Sequence, residues 1–237
     1  SLDEVEKDWF LAEHLLDAHD EGKTRHDFGV MLSAVAKIDP RLKLKVAWKV
    51  FDAWAVEDPP RQAPAAPPEL ITGMMMAAFA IGRPQLAMLV CLCYCGLLRV
   101  SEALALSWED VFLTSSGVVL CLGITKRGME QKVLLTNATV RAWTHLYFVR
   151  FAPSSRKEKF FSLTYGAVLR WVKRLAALLG AESLGLTTHT FRRSGASELS
   201  RSGIPLADIL LFGRWATERS AREYIRRGEV AIHRARG

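Results

Sequence analysis

Thr188-His189-Thr190-Phe191-Arg192-Arg193-Ser194-Gly195, with the run onward to Tyr224, is the stretch from which the chain is read. His189 and Arg192 stand three apart, so on a helix the imidazole and the guanidinium share one face. After a break at Ser202-Gly203, an apolar run from Ile204 to Phe212 begins beside Pro205, a residue suited to a helix start. Gly213-Arg214-Trp215 then reads as a turn. Thr217 to Arg227 reads as a further helix, carrying Tyr224 among Arg219, Arg222, Arg226 and Arg227. Imidazole, guanidinium, indole N–H and phenol are the groups that attack on a phosphodiester would need.

The charge balance points the same way. The 237 residues carry a net charge of +7, which favours a polyanionic partner. Residues 1–58 hold 8 Lys/Arg against 13 Asp/Glu, and residues 59–237 hold 24 against 12. The basic character therefore belongs to the C-terminal part, where nucleic acid is expected to bind.

Upstream of the quoted stretch, Thr164 to Leu179 is an amphipathic helix ended by Gly180, and Thr139 to Phe151 is another. Val118–Ile124 and Lys132–Leu135 are β-rich runs flanking Thr125-Lys126-Arg127-Gly128-Met129-Glu130-Gln131, which predicts a hairpin with a basic tip. Glu69–Ile81 and Pro84–Cys95 are apolar helices. Each is too short to span a bilayer, so they belong to a core and no membrane is implied. Arg99 and Glu102 follow, one helical turn apart. The fold class is mainly α with a small antiparallel β-sheet (α+β).

At the N-terminal end, Asp3–Asp20 reads as a helix with Val5, Trp9, Ala12 and Leu16 on one stripe, and two more helices follow before Glu57. Residues 1–57 form a helical unit, expected to be incomplete, and 69–237 form a second domain. Residues 58–68 hold five of the nine prolines, and such a stretch is extended and coreless, a linker. Cys91, Cys93 and Cys95 are two apart, which is no zinc-knuckle spacing, and together with Cys121 they read as reduced, mostly buried thiols. That usage implies an intracellular compartment. The remaining histidines form no metal-ligand pattern and no Gly-rich phosphate loop is present, so neither metal nor nucleotide cofactor is implied.

Leu97-Leu98-Arg99-Val100-Ser101-Glu102, a hairpin bearing Thr125-Lys126, His189-x-x-Arg192, Gly213-Arg214-Trp215 and Tyr224 nine residues later occur in one order. Together they resemble the catalytic domain of the tyrosine recombinases, the phage-integrase-like and Cre-like site-specific DNA recombinases. The resemblance covers roughly residues 69–230, and Trp215 followed by Tyr224 is similar to the Cre-like arrangement. Residues 1–57 resemble that family's DNA-binding core-binding domain in being helical and in preceding a linker, though their net acidity departs from a usual DNA clamp. It implies a Tyr224 nucleophile, a 3′-phosphotyrosyl intermediate, Lys126 as general acid, and a double-stranded DNA partner with specific recombination sites. It further implies a homo-oligomer, a dimer on one site and a tetramer in synapsis, located with DNA in a nucleoid or nucleus. Two alternatives share these residues: a type IB topoisomerase, and a catalytically silent DNA-binding protein.

The pentacoordinate transition state of phosphoryl transfer gathers negative charge on its non-bridging oxygens, and fixed donors aimed at that charge lower the barrier. Arg99 and Arg192 suit this because a guanidinium is permanently charged and forks onto two oxygens. Glu102 is then a support for Arg99. His189 either accepts the phenol proton or hydrogen-bonds a phosphate oxygen. Arg127 and Lys132 rival Lys126 by position. Trp215 either donates its indole N–H or packs beneath Tyr224. Arg127, Arg156, Lys157, Lys159, Arg170, Lys173, Arg174, Arg193, Arg214, Arg219 and Arg222 are the expected phosphate contacts, with an acidic neighbour as the alternative partner of Arg193.

Overall fold

The structure, a computed structural model, describes residues 3–57, 64–124, 130–215, 217, 218, 221, 222 and 225. The chain divides into two compact units, Ser1–Gln62 and Ala63–Gly237.

The first unit is built from α1 (Glu4–Asp20), α2 (Arg25–Ile38) and α3 (Lys45–Glu57). Asp3 starts α1. Its carboxylate accepts the Glu6 N–H, and the Glu6 carboxylate accepts the Asp3 N–H in return. Ala12, Leu15, Ala18, Leu32, Leu42, Leu44, Ala47 and Trp54 form the core. The expected stripe of α1 is corrected here. Val5, Trp9 and Leu16 are exposed, and the buried face runs through Asp8, Ala12, Leu15 and Ala18.

The reason lies at the start of α3, whose first amides have no acceptor within their own helix. Asp8 supplies it, accepting the N–H groups of Val46 and Ala47 at 2.9 Å each. Asp8→Ala is expected to cost the unit about 1–3 kcal/mol. The loss would appear as faster amide exchange across α1 and α3 with residues 64–215 unchanged. Equal protection in both proteins would show the cap to be dispensable.

The second unit contains α4 (Pro68–Ala80), α5 (Pro84–Cys95), α6 (Val100–Ala105), α7 (Ala138–Arg150), α8 (Tyr165–Leu178), α9 (Thr188–Arg201) and α10 (Leu206–Gly213). Strands β1 (Val111–Thr114), β2 (Gly117–Ile124) and β3 (Glu130–Leu135) form an antiparallel sheet in that order. Val111 stands opposite Leu120, and Leu120 opposite Val133. The fold is thus mainly helical with one small antiparallel sheet. The expected hairpin strands are β2 and β3, while β1 is a strand the sequence reading lacks. The hairpin tip, residues 125–129, lies outside the described residues.

Helix α5 is apolar on all sides and buried from Leu86 to Cys93, so it forms the axis of this core. Cys91 and Cys93 are buried and Cys95 is half-buried. Helix α9 lies against α5 at a distance that only glycine permits. A Cβ on Gly195 would stand 2.1 Å from the Tyr94 carbonyl oxygen and 2.6 Å from Leu97 Cδ2. This approach carries Arg192, one turn earlier on α9, to the end of α5.

The proline-rich stretch does not stay coreless throughout. Ala65 and Ala66 are buried, and the Ala66 N–H donates to Ser194 Oγ at 2.8 Å. The last part of that segment is therefore packed on the second unit, and α4 starts at Pro68 itself. Among the described residues, no helix is long and apolar enough to cross a membrane.

Candidate active site

The site is assembled where α5 ends. After Gly96 the chain turns through Leu97, a buried residue with a left-handed backbone, φ 47°. For a leucine this conformation costs on the order of 1–2 kcal/mol and needs surrounding contacts to hold it. The contacts are two cations. The Leu97 carbonyl accepts Arg192 Nη1 at 2.8 Å and Arg214 Nη2 at 3.0 Å.

Arg99 then caps α6, and Glu102, three residues on, turns back toward it. The Glu102 carboxylate accepts the Arg99 backbone N–H at 2.8 Å and Arg99 Nη1 at 2.5 Å. It also accepts Arg214 Nη2 at 2.8 Å and lies 3.7 Å from Arg192 Nη1. One carboxylate therefore sits among three guanidiniums drawn from three segments. Exposure falls from 34% for the Arg99 side chain to 11% for Glu102, 7% for Arg214 and 1% for Arg192.

Burial alone would raise the Glu102 carboxyl. The Arg99 N–H, the Arg214 and Arg99 side chains and the nearby Arg192 outweigh it, and hold the group below its ordinary value. Burial likewise moves Arg214 below its usual value, with Glu102 pulling the other way.

The turn at 213–215 has a geometric logic. Arg192 Nη2 donates to the Gly213 carbonyl, and a Cβ at position 213 would stand 1.7 Å from the Trp215 ring. Arg214 is left-handed, φ 59°. That conformation returns its side chain to Glu102 and to the carbonyls of Gly96 and Phe212. The Arg192 guanidinium carbon lies 4.6 Å from the centroid of the Trp215 ring. Trp215 packs in a cluster with Leu97, Ala196, Ile209, Ala221 and Ile225. Packing is thus the visible role of this indole, and its neighbours include residues on either side of position 224.

His189 is exposed in the first turn of α9, one turn before Arg192, where Thr187 Oγ1 accepts its backbone N–H at 3.3 Å. Lys132, on β3, lines a cleft of about 350 Å³ with Gln131, Leu210, Leu211, Arg214, Trp215 and Glu218. Lys126 and Tyr224 lie outside the described residues, as do Arg127 and Arg219. The expected helix from Thr217 to Arg227 falls largely outside them as well.

Among the expected phosphate contacts, Lys157, Arg170, Lys173 and Arg174 are exposed. Arg156 and Lys159 face solvent in part but are tied to the protein through the carbonyls of Trp108 and Ala105, at 2.8 and 2.7 Å. Arg222 is exposed and paired with Glu218. Arg193 and Arg214 are corrected. Both are buried, so neither presents a phosphate-binding surface as it stands. Arg214 instead joins the Glu102 cluster, a role that no local spacing signals.

Such a cluster, fixed by neighbours and largely shielded from water, is suited to stabilising charge that develops on a phosphate. Comparison with known proteins bears on the fold and the family. The XerH site-specific recombinase, solved on a palindromic difH substrate, superposes with a TM-score of 0.70 at 17% identity, over 99% of this chain and 72% of that one. The Tn1549 transposon integrase, solved with transposon right end DNA, gives 0.64 at 11% identity, over 96% and 84%. A lambda integrase dimer on a COC′ core site gives 0.62 at 15%, over 91% and 63%. At these identities the likeness is one of fold. A search of curated protein sequences finds no match. The model of the phage integrase family matches residues 74–229, well over half of the chain and all of the described cluster, so the chain belongs to the phage integrase family.

Proposed function

We propose that the protein is a site-specific DNA recombinase that cuts and rejoins strands through a 3′-phosphotyrosyl intermediate. The observation that carries the reading is the convergence of Arg99, Arg192 and Arg214 on Glu102 within the family-matched region. Arg99 and Arg192 are the phosphate-binding cations, and Glu102 and Arg214 position them. Tyr224 attacks phosphorus, the 5′ oxygen leaves with a proton, and the bond energy stays in the tyrosyl ester, so rejoining needs no nucleotide. His189 takes the phenol proton or holds a phosphate oxygen. Arg192 is 1% exposed, so contact between its guanidinium and a phosphate requires the surrounding side chains to rearrange. The partner is double-stranded DNA carrying the recombination sites, bound by a dimer per site and a tetramer at synapsis, and the protein resides with that DNA.

The test is a pool of nicked duplexes with a randomised core. Covalent complexes are isolated on a denaturing gel and their DNA is sequenced. A denaturation-resistant adduct enriched for one sequence is expected. Duplex binding with no adduct would leave only a grip on DNA.

The general acid has its own signature. Lys126→Ala is expected to slow cleavage of the normal ester by about 10²–10⁴-fold. A 5′-thiol leaving group should restore the rate, because a thiolate departs without protonation. Lys132→Ala should not show that rescue, and rescue in Lys132→Ala alone would exchange the two assignments.

A further inference from the structure

Helix α8 carries no acidic residue, and its exposed surface bears Arg170, Lys173 and Arg174 at helical spacing. Its first residue is tied to the helix of the candidate site. Tyr165 Oη and Thr188 Oγ1 lie 2.8 Å apart, and Thr188 directly precedes His189. A fourth cation comes from elsewhere. Arg83 caps α5 at the turn after Gly82, and its guanidinium carbon lies 5.1 Å from the centroid of the Trp171 ring on α8. The Arg174 guanidinium lies 5.1 Å from the same centroid. Trp171 is half-buried and packed against the main core, so the indole is a fixed platform near both exposed guanidiniums. Among the described residues, neither guanidinium is ion-paired to a carboxylate.

We propose that Arg83, Trp171 and Arg174 form a clamp for DNA backbone phosphates, with Trp171 as the positioning residue. This deepens the recombinase reading and rests on it. Two exposed guanidiniums held near one ring and near further cations repel one another, and a polyanion relieves that repulsion while using their forked donors. Stacking on the indole restricts both arginines before DNA arrives, which lowers the ordering cost of binding. The clamp gives the protein phosphate contacts from the α4–α5 turn as well as from α8. It reads no bases, so its contribution is independent of DNA sequence.

The test uses the full chain and a labelled duplex of arbitrary sequence, titrated over a range of salt concentrations. Arg83→Ala and Arg174→Ala are each expected to make the slope of log affinity against log salt shallower by about 0.9, and the double variant by about twice that. Trp171→Leu removes no charge but should weaken binding by about two- to fivefold, and Trp171→Phe should recover most of the loss. An unchanged slope in both arginine variants overturns the clamp. Wild-type affinity in Trp171→Leu overturns the positioning role. Adduct formation on the nicked duplexes is followed in parallel. Binding with altered slopes but no adduct sinks the recombinase reading and keeps the clamp. Adduct with unaltered slopes does the reverse.

Discussion

Tyr224→Phe is expected to leave duplex binding intact and to abolish covalent capture of DNA. The chain has four tyrosines, and the structure constrains three of them. Tyr147 is buried, its hydroxyl donates to the Phe160 carbonyl at 3.0 Å, and burial pushes its phenol up in pKa. Tyr94 is half-buried and is raised chiefly by the same cause. Ionising an ordinary phenol at neutral pH already costs roughly 4 kcal/mol, so a raised pKa makes a poor nucleophile worse. Tyr165 is the real rival. It is exposed, and its hydroxyl is bonded to Thr188, next to His189. Tyr165→Phe is therefore the necessary control, and full adduct yield is expected from it. Loss of the adduct in Tyr165→Phe with its survival in Tyr224→Phe would move the nucleophile to Tyr165 and overturn the assignment drawn from the motif order.

The parts of this molecule that were legible in sequence are those whose cause is local. Helix α5 begins at Pro84 and ends before Gly96 because one residue presets the helix and the other ends it. Arg99 and Glu102 could be paired because three residues make one turn. Strand β1 was not legible, since four residues between a short 3-10 turn and Ser115-Ser116 give too little alternation to read. The buried face of α1 is not legible locally because Asp8 on it caps the first amides of α3, some 40 residues away in the chain. Ala65 and Ala66 read as linker because composition reports stiffness, not what a segment rests on. The same limit explains Arg193 and Arg214. A basic residue in a basic segment reads as solvent-facing, yet Arg214 reaches a carboxylate 112 residues earlier, through a left-handed turn that its own sequence does not announce.

That carboxylate is where a single small change should have the widest consequence. Glu102→Gln keeps the shape of the side chain but removes the negative charge set among Arg99, Arg192 and Arg214. Breaking a buried ion pair from one side costs about 3–5 kcal/mol, because the remaining charges stay desolvated and uncompensated. For a unit of this size the melting temperature should fall on the order of 10 °C. Cleavage should fall further than stability explains, on the order of 10³-fold, since both phosphate-binding guanidiniums lose the group that orients them. The pH dependence separates this account from a merely lost hydrogen bond. Folded Glu102 binds its proton more weakly than in the unfolded chain, so its stabilisation is full above its ordinary value of 4.5 and is lost as pH falls through the lower folded value. The stability gap between wild type and Glu102→Gln should therefore narrow on acidification from the high-pH side. A gap that stays constant down to acid pH would mean that the carboxylate's charge does not balance the three arginines. The backbone carbonyls that the arginines meet, those of Leu97 and Gly213 among them, would then carry more of the site's geometry than the carboxylate.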